Sequence, residues 1–169
     1  IDDIQKEADT INPDYLIVDT PGQIELFAYR QSGPFFVQNF EAEEKMNLFL
    51  FDGTMVSTPS NFVSLMLLST SIRLRLGLPT VNVITKTDLI EEKLQQVLSW
   101  SGTDSKLEAD LAGEVNGDTF SLVSDMLTSI NRNDFQQDLI PVSNATGDGM
   151  VNLQSALSRT INLGEEIED

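Results

Sequence analysis

The sequence predicts an α/β protein: a doubly wound, mostly parallel sheet flanked by helices. Three observations carry that expectation. Short apolar runs at residues 15–19, 46–51, 80–84 and 139–142 alternate with stretches of helical period, which is the order of parallel strands joined by crossover helices. The runs are apolar enough for burial on both faces, as strands of a parallel sheet are. Three of them lead into polar loops, Asp19-Thr-Pro-Gly22, Thr85-Lys-Thr-Asp88 and Ser143-Asn-Ala-Thr-Gly147, and in such a sheet ligands gather at the carboxyl ends of the strands.

Taken in order, residues 1–9 place Ile1, Ile4 and Ala8 on one helical face. Asn12-Pro13-Asp14 ends that helix. Residues 15–19 form the first expected strand. Residues 24–30 read as helix, Ser32-Gly33-Pro34 interrupts, and Pro34 can open a second helix to about Glu43. Residues 46–51 form the second strand, closed by Asp52-Gly53. The longest helix covers residues 61–76 and stops at Gly77. Its apolar rows, Phe62, Leu65, Met66, Ser69, Ile72 and Leu76 on one side and Val63, Leu67, Leu68 and Leu74 around it, call for cover on more than one face. The sheet supplies one cover; a neighbouring helix or a second subunit supplies the other. Residues 80–84 form the third strand and 90–100 a helix. Two further helices follow within 101–133, broken at Gly102, Gly113 and Gly117. Residues 139–142 form the fourth strand, 150–163 an amphipathic helix, and the acidic tail 165–169 is expected to fray.

At 169 residues the chain is one domain's worth, with a helical insertion at about 89–137. It has no cysteine and no histidine, which excludes disulfides, thiolate metal sites, imidazole catalysis and histidine-ligated zinc. The formal net charge is −17, from 10 Lys+Arg against 27 Asp+Glu. That balance weighs against a direct nucleic-acid surface and against an anionic membrane. No run is long enough to span a bilayer, and no signal peptide opens the chain. Ile1 is not Met and sits in a helix already under way, so a fragment with its N-terminal part missing is expected.

The strand-end loops carry the chemistry. Asp19 is placed to hold Mg²⁺, usually through water, on a bound triphosphate. Gly22 has no side chain, so its N–H can reach a γ-phosphate oxygen. Gln23 carries both donor and acceptor groups and suits orienting an attacking water. Asp88 can accept two parallel N–H bonds from guanine N1 and N2, whereas adenine would leave it unpaired. The stem of Lys86 can lie across the base, and a backbone N–H near Asn144 can donate to guanine O6. Each loop taken alone is an ordinary turn or cap; their shared order and placement make the case for one nucleotide-sized hollow.

The segment Asp19-Thr-Pro-Gly-Gln-Ile-Glu25-Leu-Phe27 resembles the third GTPase motif of the GPN-loop GTPases, a P-loop family. The resemblance continues through Asp52, Pro59-Ser-Asn-Phe62, Arg73-Leu-Arg-Leu-Gly77, Thr85-Lys-Thr-Asp-Leu89 and Pro141-Val-Ser143. It implies a P-loop NTPase-like fold that binds GTP with Mg²⁺, hydrolyses it to GDP and phosphate, and works as a cytoplasmic homodimer, a molecular switch or assembly factor. It further implies that Asp19 sits near Mg²⁺ or the attacking water, that Gln23 positions that water, and that Glu25 supports the catalytic loop. Gly22 would meet the nucleotide, Thr85, Lys86 and Asp88 would form its base-reading loop, and Ser143 and Asn144 would close over it. By family analogy a protein client related to RNA polymerase is expected.

Four departures stand out. Thr85 occupies the place of the usual Asn. Ser143-Asn144-Ala145 replaces the usual Ser-Ala-Lys. No Gly-x-x-x-x-Gly-Lys-Ser/Thr occurs, since none of the lysines (Lys6, Lys45, Lys86, Lys93, Lys106) follows a glycine. The Gly-Pro-Asn insertion is absent too. The chain by itself is therefore expected to bind GTP weakly and not to hydrolyse it. An ATPase of a related P-loop class and a non-catalytic protein-interaction module are the competing readings.

Overall fold

A computed structural model describes residues 1–101, 106–131 and 139–162; the expected break at Gly102, the end of the 101–133 region and the acidic tail lie outside the described residues. The chain runs α1 (Asp2–Ile11), α2 (Ile24–Ala28), α3 (Ser32–Asn39), β1 (Asn47–Asp52), α4 (Pro59–Leu76), β2 (Thr80–Thr85), a 3₁₀ turn (Thr87–Leu89), α5 (Glu91–Trp100), α6 (Leu107–Ala112), α7 (Gly117–Asn131), β3 (Leu139–Pro141) and α8 (Met150–Asn162). The three strands form one parallel sheet in the order β1-β2-β3. The expected α/β class with a parallel, helix-flanked sheet is what the structure has.

The strand faces divide the core. Phe49, Phe51, Ile84 and Leu139 join Phe62, Val63 and Ile72 of α4 and Val97 and Trp100 of α5 in the larger cluster. Val81, Val83, Ile140 and Val142 point the other way, against Leu153, Ala156 and Leu157 of α8. Helices on both faces make the sheet doubly wound. Helix α4 starts where the Thr58 side chain accepts from the Asn61 N–H at 3.4 Å, with Pro59 in its first turn, and ends at Gly77 in left-handed backbone, φ 67°. Its second cover is helical. α2, α3 and α6 pack on it, the Tyr29 hydroxyl meets Ser71 Oγ at 2.6 Å, and Arg75 donates to the Ala28 and Tyr29 carbonyls at 3.1 and 3.3 Å. A buried polar pair ties the same helix to the sheet: Ser69 Oγ donates to Asn82 Oδ1 at 2.6 Å.

One expected strand does not form. Residues 15–19 belong to no sheet, and Tyr15, Leu16, Ile17 and Val18 are exposed, Ile17 at 86%. A strand exists only through the ladder beside it, and no described strand runs along this segment. On β1, Leu48 and Leu50 pair with Val81 and Val83 and so share the face that α8 covers further along. There they stay open, Leu48 at 37% and Leu50 at 61% exposed. The third helix also differs slightly. It begins at Ser32, so Gly33 and Pro34 fall inside its first turn, where proline's missing N–H costs no hydrogen bond. Among the described residues no helix is long and apolar enough to cross a membrane.

Candidate functional site

The site begins where β2 runs out. Thr85 ends the strand, Lys86 turns into left-handed backbone (φ 56°, ψ 38°), and Thr87-Asp88-Leu89 closes a 3₁₀ turn. This loop is tied to both neighbouring strands. Toward β1, Thr85 Oγ1 donates to the Phe51 carbonyl at 3.1 Å and the Gly53 N–H donates to the Thr85 carbonyl at 3.0 Å. Gly53 has to be glycine there, because a Cβ would lie 2.6 Å from that carbonyl oxygen. Toward β3, the Thr87 N–H donates to the Val142 carbonyl at 3.3 Å.

Asp88 and Ser143 come together across this junction. Ser143 Oγ donates to Asp88 Oδ1 at 2.6 Å and accepts from the Thr146 N–H at 3.2 Å. Ser143 is buried and Asp88 half-buried. One carboxylate oxygen is thereby held while the other keeps its accepting capacity. The loop after β3 is closed by its own bonds: the Ser143 N–H to the Asp148 carbonyl at 3.0 Å, the Gly147 N–H to the Ser143 carbonyl at 2.9 Å, and Thr146 Oγ1 to Asp148 Oδ2 at 2.6 Å. Asn144 sits exposed on this loop.

On the β1 side Lys86 makes an ion pair that sequence reasoning missed. Its Nζ lies 2.6 Å from Asp52 Oδ2, while Asp52 Oδ1 accepts from the Thr54 N–H at 3.0 Å and from Thr54 Oγ1 at 2.7 Å. The Lys86 ammonium first, and the Thr54 donors next, hold the Asp52 carboxyl below its ordinary value of 3.8. The available signal was an acid closing an apolar run, the same feature that drew attention to Asp19.

Among the described residues no hydrogen bond ties the Asp19 loop to the loops after β2 and β3. Asp19, Gly22 and Gln23 are exposed, and a Cβ on Gly22 would meet nothing within 4 Å. Glu25 lies on α2, and its side chain is outside the described residues. The structure therefore joins two of the three expected loops. Asp88 also lines an open hollow of about 220 Å³ with Thr87, Glu91, Asp148 and Asn152. That is below the roughly 300 Å³ at which small-molecule sites begin. Its carboxylates would repel phosphates, so it does not suit a triphosphate.

Asp19 makes no hydrogen bond or ion pair among the described residues, and no group of three or more acidic residues there could hold a metal. This donor set fits Mg²⁺ carried by a nucleotide, which needs one or two carboxylates and keeps its waters. It does not fit a cation caged by protein alone.

Comparisons with known proteins bear on the family and the fold. A family model described as "Conserved hypothetical ATP binding protein" matches residues 1–163. GPN-loop GTPase QQT2 of Arabidopsis thaliana is 31% identical over 150 residues, 87% of this chain and 38% of that protein. GPN-loop GTPase 1 of Saccharomyces cerevisiae is 28% identical over 155 residues, 86% of this chain and 40% of that one. The chain thus spans about two fifths of the length of these curated relatives. An apo GTPase from Pyrococcus abyssi superposes with a TM-score of 0.77 at 21% identity, over 94% of this chain and 64% of its own, and shares the fold. On the match along nearly its whole length, the chain belongs to the GPN-loop GTPase family.

Proposed function

We propose that the full-length protein binds GTP with Mg²⁺ and hydrolyses it to GDP and phosphate, working as a dimer in the manner of a switch or assembly factor. The observation that carries this reading is the Asp88–Ser143 bond at 2.6 Å between the ends of adjacent parallel strands. It holds a carboxylate in one orientation, as a group that must accept two parallel N–H bonds from guanine requires. Adenine presents an acceptor at N1 and no 2-amino group, so the same carboxylate penalises it.

In this reading Asp88 reads the base edge, the Lys86 stem lies against its face, and the backbone near Asn144 donates to O6. Gln23 orients the attacking water for in-line displacement, and the Gly22 N–H donates to a γ-phosphate oxygen. Asp19 would hold Mg²⁺ through water; the chemistry that ion supplies when bound is neutralising charge on the phosphate oxygens. Thr85 spends its hydroxyl on the Phe51 carbonyl, so it contributes bracing between strands rather than an amide to the base.

A second reading is favoured by the description of the matching family model as ATP-binding. Competition decides between them. The full-length protein should release a fluorescent GDP analogue to GTP at least about a hundredfold more readily than to ATP, since a polar-paired site rejects the unpaired analogue strongly. Asp88→Asn should abolish that preference. Equal displacement by ATP would replace the GTPase reading with the ATPase one.

A further inference from the structure

We infer that Asp52 is a positioning residue for Lys86, holding the lysine's four-carbon stem as a fixed apolar ledge across the carboxyl ends of β1 and β2. The inference rests on the nucleotide-binding reading above, because the ledge is useful only to a flat ligand whose edge Asp88 meets.

The geometry is specific. Asp52 and Thr85 are register partners at the ends of β1 and β2, so Lys86 stands one residue beyond its anchor's partner. Its left-handed backbone, φ 56°, is a conformation that non-glycine residues adopt only at a cost. The ion pair is made from that turn. Both Asp52 oxygens are committed, Oδ2 to Lys86 Nζ and Oδ1 to the two Thr54 donors, so the carboxylate cannot swing away. Lys86 nevertheless remains 56% exposed, which leaves its stem open to a ligand.

An unanchored lysine would have to surrender its rotamer freedom on binding. Anchored, it has surrendered that freedom already, and the base meets a preformed surface. The pairing also neutralises the ammonium locally, so Lys86 acts through shape rather than charge. Asp88, tied to Ser143 on the far side of the same loop, supplies the edge contacts. The loop between them is thus fixed at both ends, by an ion pair toward β1 and a hydroxyl–carboxylate bond toward β3.

A double-mutant cycle on the full-length protein tests this, with GTP and GDP affinities measured by calorimetry. Asp52→Asn should weaken binding about tenfold in the parent, the order of one lysine's lost side-chain entropy, and less than about twofold in a Lys86→Ala background, where no stem is left to position. An equal loss in both backgrounds means that Asp52 acts through the fold alone, and the inference fails. Absence of GTP and GDP binding by the parent defeats the nucleotide reading itself, a separate outcome. Should Asp52→Asn not fold, ¹³C relaxation at lysine Cε in the unaltered protein answers instead. Lys86 should be markedly more ordered than Lys93, and equal mobility of the two overturns the inference.

Discussion

Ser143 donates its hydroxyl to Asp88 at 2.6 Å, joining the loops after β3 and β2 through two residues 55 positions apart in sequence. Ser143 is 1% exposed, so water cannot stand in for it. Ser143→Ala should leave the carboxylate free to turn and weaken GTP binding about tenfold, the scale of one hydrogen bond to a charged group. Titration with a fluorescent GDP analogue and GTP checks this. Unchanged affinity with unchanged stability would mean that the bond has no part in binding.

The Ser69–Asn82 pair offers a test of the core that is independent of any ligand. Both residues are buried, with the serine hydroxyl 2.6 Å from Asn82 Oδ1. Ser69→Ala strands that oxygen and should cost about 1–3 kcal/mol in urea unfolding. Ser69→Ala with Asn82→Leu should recover part of the loss, because removing both partners removes the unmet demand. A double variant less stable than the sum of the two single changes would refute this account.

Phe51 belongs to the larger cluster, fully buried, with its ring 5.0 Å from that of Phe49. Phe51→Ala should destabilise the fold by about 3–5 kcal/mol, read as a lower urea midpoint at an unchanged slope. It should also disturb Thr85, whose hydroxyl donates to the Phe51 carbonyl.

Two carboxylates give stability an acid dependence. Lys86 chiefly, with Thr54, lowers Asp52; the Trp100 indole N–H chiefly, with Gln96, lowers Asp110. Each therefore binds its proton less readily folded than unfolded. Their contribution is complete well above the ordinary value of 3.8 and is lost as the pH falls below it. Urea midpoints of the parent should exceed those of Asp52→Asn and Asp110→Asn near neutrality, and the curves should converge in acid. A gap that persists in strong acid would assign the effect to packing.

The exposed apolar residues of 15–18 and of β1 predict a sticky surface. Ile17 is 86% and Leu50 61% exposed, and an open apolar strand edge invites pairing with other chains. The 169-residue chain should bind a hydrophobic dye and self-associate, and Ile17→Lys with Leu50→Lys should reduce both without lowering the unfolding midpoint. A loss of stability instead would show that these side chains pack in the folded chain.

Much of this was legible before any coordinates. Helix α4 announced its C-terminal end through Gly77, because caps are local chemistry written in adjacent residues, whereas its start falls at Pro59, two residues before the expected one. The run at β2 was readable because a strand buried on both faces must be apolar at nearly every position; β1 was as apolar, yet Leu48 and Leu50 leave one of its faces open. The same criterion misplaced residues 15–19: apolarity shows that a segment seeks cover, and cannot show that a neighbouring strand is there to give it. The second cover of α4 was undecidable for a related reason, since two apolar rows state a need for burial without naming who meets it.

Composition and order alone determined the α/β class and the exclusion of thiol and imidazole chemistry, and put forward the loops of Asp19, Asp88 and Ser143 as candidates for one site. Tertiary structure alone decided that Asp88 and Ser143 touch, that α2, α3 and α6 cover α4, that Asp52 rather than solvent holds Lys86, and that the Tyr15–Val18 stretch stays outside the sheet. The reason is physical. Residue type and spacing fix what each segment requires, whereas a hydrogen bond, an ion pair or a ladder needs a second partner brought near by the rest of the chain.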